Sequence, residues 1–98
     1  MHSIKHFSIY QCSDGYIVHN TRKPFEEGHT HIKSLSYCKR LIYNCLYKRR
    51  PRTKNLYLLE SHGRITDDER YLRQIEDLKD SRSKKKEKYV NIQKKKKK

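Results

Sequence analysis

The chain has 98 residues, 33% of them hydrophobic, with eight tyrosines, two phenylalanines and no tryptophan, so it can bury only one modest core. A formal net charge of +14 repels itself in the compact state and attracts polyanions. Nucleic acid is therefore the expected partner, ahead of an anionic membrane or an acidic protein. Three cysteines without a CxxC pair exclude a disulfide scaffold and suggest a reducing compartment, and no apolar run is long enough for a membrane span, so the expected location is the cytoplasm.

In chain order, Ile4 to Gln11 alternates apolar and polar residues, Asp14-Gly15 is a strong hairpin turn, and Tyr16 to His19 supplies a second strand. Asn20 to Lys33 is a connection in which Pro24 and Gly28 mark turns and Phe25 is expected to pin the loop to the core, while Thr30 to Ile32 can add a short third strand. His29 and His31, at i and i+2, would point to one side of an extended segment and could share a metal. One HxH without a spaced cysteine or carboxylate partner reads instead as a hydrogen-bonded turn, so no metal site and no cofactor is expected. Nothing in the sequence fixes acid–base geometry around these histidines, and the chain is not expected to be an enzyme.

Ser34 to Arg52 organises the rest. Leu35, Cys38, Leu41, Ile42, Cys45 and Leu46 recur at three- and four-residue intervals, which places them on one arc of an α-helix. Ser36, Lys39, Arg40, Tyr43, Asn44, Tyr47 and Lys48 fall on the solvent side. Ser34 is the expected N-cap, and Pro51 should stop the helix at or before Arg50, so that Lys48, Arg49, Arg50 and Arg52 gather at the negative end of its dipole. From Lys33 to Lys54 there are eight cations and no acid, so these charges cannot neutralise one another as i,i+4 ion pairs. Tyrosines on the same face offer stacking partners for bases, worth roughly 1–3 kcal/mol per base.

After Pro51, Thr53 is the expected cap of a short second helix through Ser61 or His62, with Leu56 and Leu59 inward and Gly63 as its left-handed stop; a strand over Asn55 to Leu59 is the alternative. Thr66-Asp67-Asp68-Glu69 reads as a capping box opening a third helix, with Tyr71, Leu72, Ile75 and Leu78 as its apolar stripe and Glu69–Arg73 as an outer ion pair. Residues 64–81 carry six anions against four cations, so this helix is expected to lie away from a polyanion or to brace a cation such as Arg64 or Arg49. Residues 82–98 carry ten cations and one anion, and Tyr89, Val90 and Ile92 are too few to offset the entropy of ordering them. The expected architecture is α+β. An N-terminal β-hairpin, optionally with a third strand, packs on two or three helices in a domain over 1–80, followed by a disordered lysine-rich tail over 81–98.

The order GYIVHNTRKPFEEGHTHI, the Leu35 helix, NLYLLES and RITDDERYLRQIEDL resembles small uncharacterised basic proteins of phages and mobile elements of low-GC Gram-positive bacteria, over residues 8–79. That resemblance carries no catalytic motif. It implies stoichiometric binding in a host cytoplasm, including inhibition of an RNA-guided defence ribonucleoprotein of the CRISPR type. The residues themselves point to RNA contact by Arg22, Lys23, Lys33, Lys39, Arg40, Tyr43, Tyr47, Lys48, Arg49, Arg50, Arg52 and Lys54, aided by Lys84, Lys85, Lys86 and Lys88 of the tail. Two alternatives use the same charge: a DNA-binding regulator with the Leu35 helix in a major groove, and an inhibitor that occupies the nucleic-acid groove of a protein target.

Overall fold

The computed structural model describes residues 2–81; the expected tail and its lysines at 84, 85, 86 and 88 lie outside the described residues. Four strands, β1 (His2–Ile4), β2 (Phe7–Cys12), β3 (Gly15–Asn20) and β4 (His29–Ile32), form one antiparallel meander in the order β1-β2-β3-β4. The fold is α+β, with one strand more than the expected three. The N-terminal stretch is itself a hairpin, because Lys5 turns into the left-handed region (φ 54) and folds Ile4 back onto Phe7.

Alternation along the strands decides what faces the helices. Cross-strand pairs Ile9↔Val18↔Thr30 and Tyr16↔Ile32 put one row of mostly apolar groups on a single face. Helix α1 (Leu35–Tyr47) lies against that face with Cys38, Leu41, Ile42 and Cys45 buried, as its three- and four-residue spacing dictates. Ser34 caps it, its Oγ accepting from the Tyr37 N–H at 3.1 Å. The helix ends at Tyr47, within the limit set by Pro51. Lys48 adopts φ 55, ψ 40, and the Arg49 N–H turns back to the Asn44 carbonyl at 2.9 Å, so the basic run follows the helix instead of forming its last turn. Lys48 Nζ still reaches the carbonyl of Cys45 at 3.2 Å, which gives the helix C-terminus its cation by another route.

Helix α2 (Leu56–Ile65) starts from Asn55, whose Oδ1 accepts from the N–H groups of Tyr57 (2.8 Å) and Leu58 (3.2 Å). Thr53 is not the cap. Its Oγ1 accepts from the Asn55 N–H at 3.1 Å, and Leu56 stays exposed while Leu59 is buried. Nor does Gly63 end the helix. It lies inside α2 where a Cβ would stand 3.1 Å from Leu72 Cδ1, so it marks the close approach of the third helix, α3, described over 69–81. Asp68 caps α3, its Oδ1 accepting from the Tyr71 N–H at 2.8 Å, while Thr66 accepts from the Asp68 N–H at 3.2 Å and closes α2. Tyr71, Ile75 and Leu78 complete the core.

Buried polar groups lock these layers together. Asn20 Nδ2 donates to the Ile65 carbonyl at 2.8 Å, and the Thr30 and Ser61 hydroxyls bond at 2.7 Å. The Cys38 thiol is pushed up to about 11 and that of Cys45 to about 12 by burial, so both stay protonated and pack as small apolar groups. Phe25 does not reach the core: it is exposed, stacking on His29 (4.2 Å) and meeting His19 edge-on (5.2 Å). Among the described residues, no helix is long and apolar enough to cross a membrane.

Candidate nucleic-acid interface

The segment from Lys48 to Asn55 runs beside the outer side of α1 and is held from below. Tyr71 of α3 donates its hydroxyl to the Arg49 carbonyl at 2.7 Å, and Pro51 is buried. Between this segment and α1 opens a cleft of about 770 Å3 lined by Tyr37, Arg40, Asn44, Arg49, Arg50, Arg52 and Thr53. Four of its lining residues are arginines and none is an acid. No ion pair engages any of these arginines among the described residues, where the ion pairs are Arg22–Asp67 (3.4 Å) and Lys48–Asp68 (3.5 Å). Their planar guanidinium forks remain available to phosphate oxygens.

An aromatic strip borders the cleft. Tyr43 and Tyr47, four residues apart on α1, stack nearly parallel with centroids 6.1 Å apart, and the Arg49 guanidinium lies 5.6 Å from the Tyr47 centroid. Tyr43 is 42% exposed and Tyr47 60%, so each keeps ring surface for a further flat partner. Asn44 lines the cleft with its amide already engaged. His62 Nδ1 must carry the proton because it faces the Leu58 carbonyl at 2.8 Å; its Nε2 then accepts from Asn44 Nδ2 at 3.1 Å. Burial holds this histidine below its usual value, which keeps the ring neutral.

The expected contact residues separate into two groups. Arg40, Arg49, Arg50 and Arg52 converge on the cleft; Tyr43 and Tyr47 border it; and Lys33, Lys39 and Lys54 are exposed. Arg22, Lys23 and Lys48 do other work. Lys23 Nζ donates to the carbonyls of Arg64 (3.0 Å) and Thr66 (3.3 Å), and the acids at the start of α3 engage Arg22 and Lys48, not the expected Arg64 or Arg49. Arg64 turns instead to the His29 carbonyl at 2.9 Å. The expected Glu69–Arg73 ion pair is not formed. Asp68 is held below the usual carboxylate range chiefly by the Tyr71 N–H, with Lys48 adding to the effect.

No protein-family model, curated protein or solved structure matches the chain. Function therefore rests on this geometry. Two cleft residues, Tyr37 and Thr53, escaped the sequence reading. Tyr37 stands at the margin of the α1 apolar arc, and only its spacing of three and seven from Arg40 and Asn44 placed it on the cleft side. The histidines fix a turn: His29 Nδ1 bonds the Phe25 carbonyl and His19 Nε2 the Lys23 carbonyl at 2.9 Å, and no group of three His, Cys, Asp or Glu side chains among the described residues could hold a metal ion.

Proposed function

We propose that this protein is a non-enzymatic binder of single-stranded RNA. The cleft would hold a run of phosphates on Arg40, Arg49, Arg50 and Arg52 while bases stack on Tyr43 and Tyr47. The observation that carries this reading is the acid-free arginine cleft beside an exposed, stacked tyrosine pair. Positive charge alone attracts any polyanion, but rings left open to solvent favour a strand whose bases are unpaired. The duplex-DNA alternative is less well supported. Asn44, the side chain a major-groove reading would use on adenine, directs its amide nitrogen to His62.

Bound in stoichiometric amounts to an RNA of a host defence complex, such a cleft would act as an inhibitor, the role implied by the resemblance to phage proteins. Competition among single-stranded RNA, single-stranded DNA and duplex DNA of equal length tests the reading. Single-stranded RNA should bind best, and Tyr43→Ala or Tyr47→Ala should weaken it about tenfold. Selective binding of one duplex sequence would overturn it, and capture of a protein partner after nuclease treatment would move the cleft to the protein-groove alternative.

A further inference from the structure

A second cavity, of about 510 Å3, opens at the N-terminal end of the cleft, walled by Tyr16, Tyr37, Tyr57, Ile32 and Leu58 with Asp14 among its polar lining residues. Tyr37 belongs to both cavities. On one bank, α1 carries Tyr37, Arg40 and Asn44; on the other, the chain runs from Arg52 and Thr53 in the cleft to Asn55 in the second cavity. The two cavities thus adjoin at Tyr37, the first cationic and the second mainly apolar and aromatic. Volumes of roughly 300–1,000 Å3 with a few placed polar groups are usual for small-molecule sites.

We infer that this second cavity receives one unpaired base of the RNA strand whose phosphates lie on the arginines, with guanine preferred. The inference rests on the RNA reading above. Charge complementarity fixes the occupant: a strand drawn along the cleft by Arg40 and Arg52 reaches an aromatic-walled space that adjoins it at Tyr37. One wall is set by a hydrogen bond, Tyr57 donating to the His31 carbonyl at 2.9 Å, so a base would meet a ring already held in place. Asp14 supplies the selection. One of its carboxylate oxygens accepts from the Cys12 thiol at 3.6 Å, and among the described residues no hydrogen bond or ion pair engages the other. Guanine presents two adjacent donors, N1–H and the 2-amino group, which a carboxylate accepts together. Adenine, cytosine and uracil set an acceptor beside their donor, which would face the carboxylate unfavourably. Asn55 spends its Oδ1 on the helix cap, leaving its amide nitrogen free to donate to a base carbonyl.

The test is a titration of the full chain with labelled oligouridine and with the same oligomer carrying one central guanine or one central adenine. The guanine oligomer should bind about tenfold tighter than oligouridine, and Asp14→Asn, at an exposed turn position, should erase the difference between guanine and adenine. A 6-thioguanine at the central position, which keeps both donors, should photocrosslink to the peptide containing Tyr57. Equal affinity for all three oligomers, or crosslinks confined to other peptides, would overturn the base pocket while leaving the arginine cleft standing. Failure of oligouridine itself to bind would instead remove the RNA reading on which the pocket depends.

Discussion

What a cationic side chain does here is decided by the atoms its nitrogen reaches. Lys23 and Arg40 are equivalent in a count of charge, yet Lys23 bridges two backbone carbonyls between the β3–β4 connection and the end of α2, whereas Arg40 faces the open cleft. Lys23→Met keeps the aliphatic stem and removes both bonds. It should lower stability by about 1 kcal/mol, read by urea denaturation, and change RNA affinity less than twofold. Arg40→Glu should do the reverse. His62 carries the protein's clearest pH dependence. Its folded-state value is lowered by burial, so below about pH 6.5 the unfolded chain takes up the proton that the folded chain resists. The contribution is therefore present in full above that pH and is lost as pH falls toward the folded value. Thermal melts at pH 7.5 and pH 5 should show a fall in Tm that shrinks in His62→Gln. His6, also lowered by its surroundings, acts with the same sign, and His6→Gln should remove the smaller part.

At the scale of elements, periodicity found what lies against the core and missed what is fixed by a single backbone turn. The inward arc of α1 was legible because Cys38, Leu41, Ile42 and Cys45 repeat with the helix, and β2 and β3 were legible from alternation around Asp14-Gly15. The division of the N-terminal stretch into two strands was not, since it depends on a lysine taking a positive φ. Gly63 misled for a related reason: glycine after an apolar run signals a helix stop, but here the missing side chain admits Leu72 from α3. The two glycines should respond oppositely to alanine. Gly15 has φ 148 and a Cβ there would stand 2.9 Å from the Ile32 carbonyl oxygen, so Gly15→Ala should cost roughly 1–3 kcal/mol. Gly63→Ala meets the movable end of half-buried Leu72 at 3.1 Å and Ile75 Cγ2 at an ordinary 3.6 Å, and gains up to about 1 kcal/mol of helix propensity, so denaturation should find it neutral to stabilising. Of the candidate site, the arginine run and the tyrosine pair were visible in the sequence. The place where α1 ends and the anchoring of the following segment by Tyr71 were not, because the first turns on a lysine taking a positive φ and the second joins residues far apart in the chain.

The molecule as a whole separates its charge. Acids at the start of α3 engage Arg22 and Lys48, while among the described residues no ion pair neutralises the four cleft arginines. The apolar side of α3 braces that arrangement from beneath through Tyr71. Tyr71→Phe leaves the Arg49 carbonyl without its donor, which should lower stability by about 1–2 kcal/mol and loosen RNA binding a few-fold through a less ordered cleft. The most direct measurement is the affinity of the full chain for a single-stranded RNA across a salt series, set beside that of the double variant Arg40→Glu, Arg52→Glu. With four to six phosphates held, log K should fall against log salt with a slope of about −3 to −4, and the double variant should bind more weakly with a slope shallower by about 1 to 2. A wild-type affinity indifferent to salt, or a double variant with unchanged affinity and slope, would contradict the assignment of RNA to this cleft.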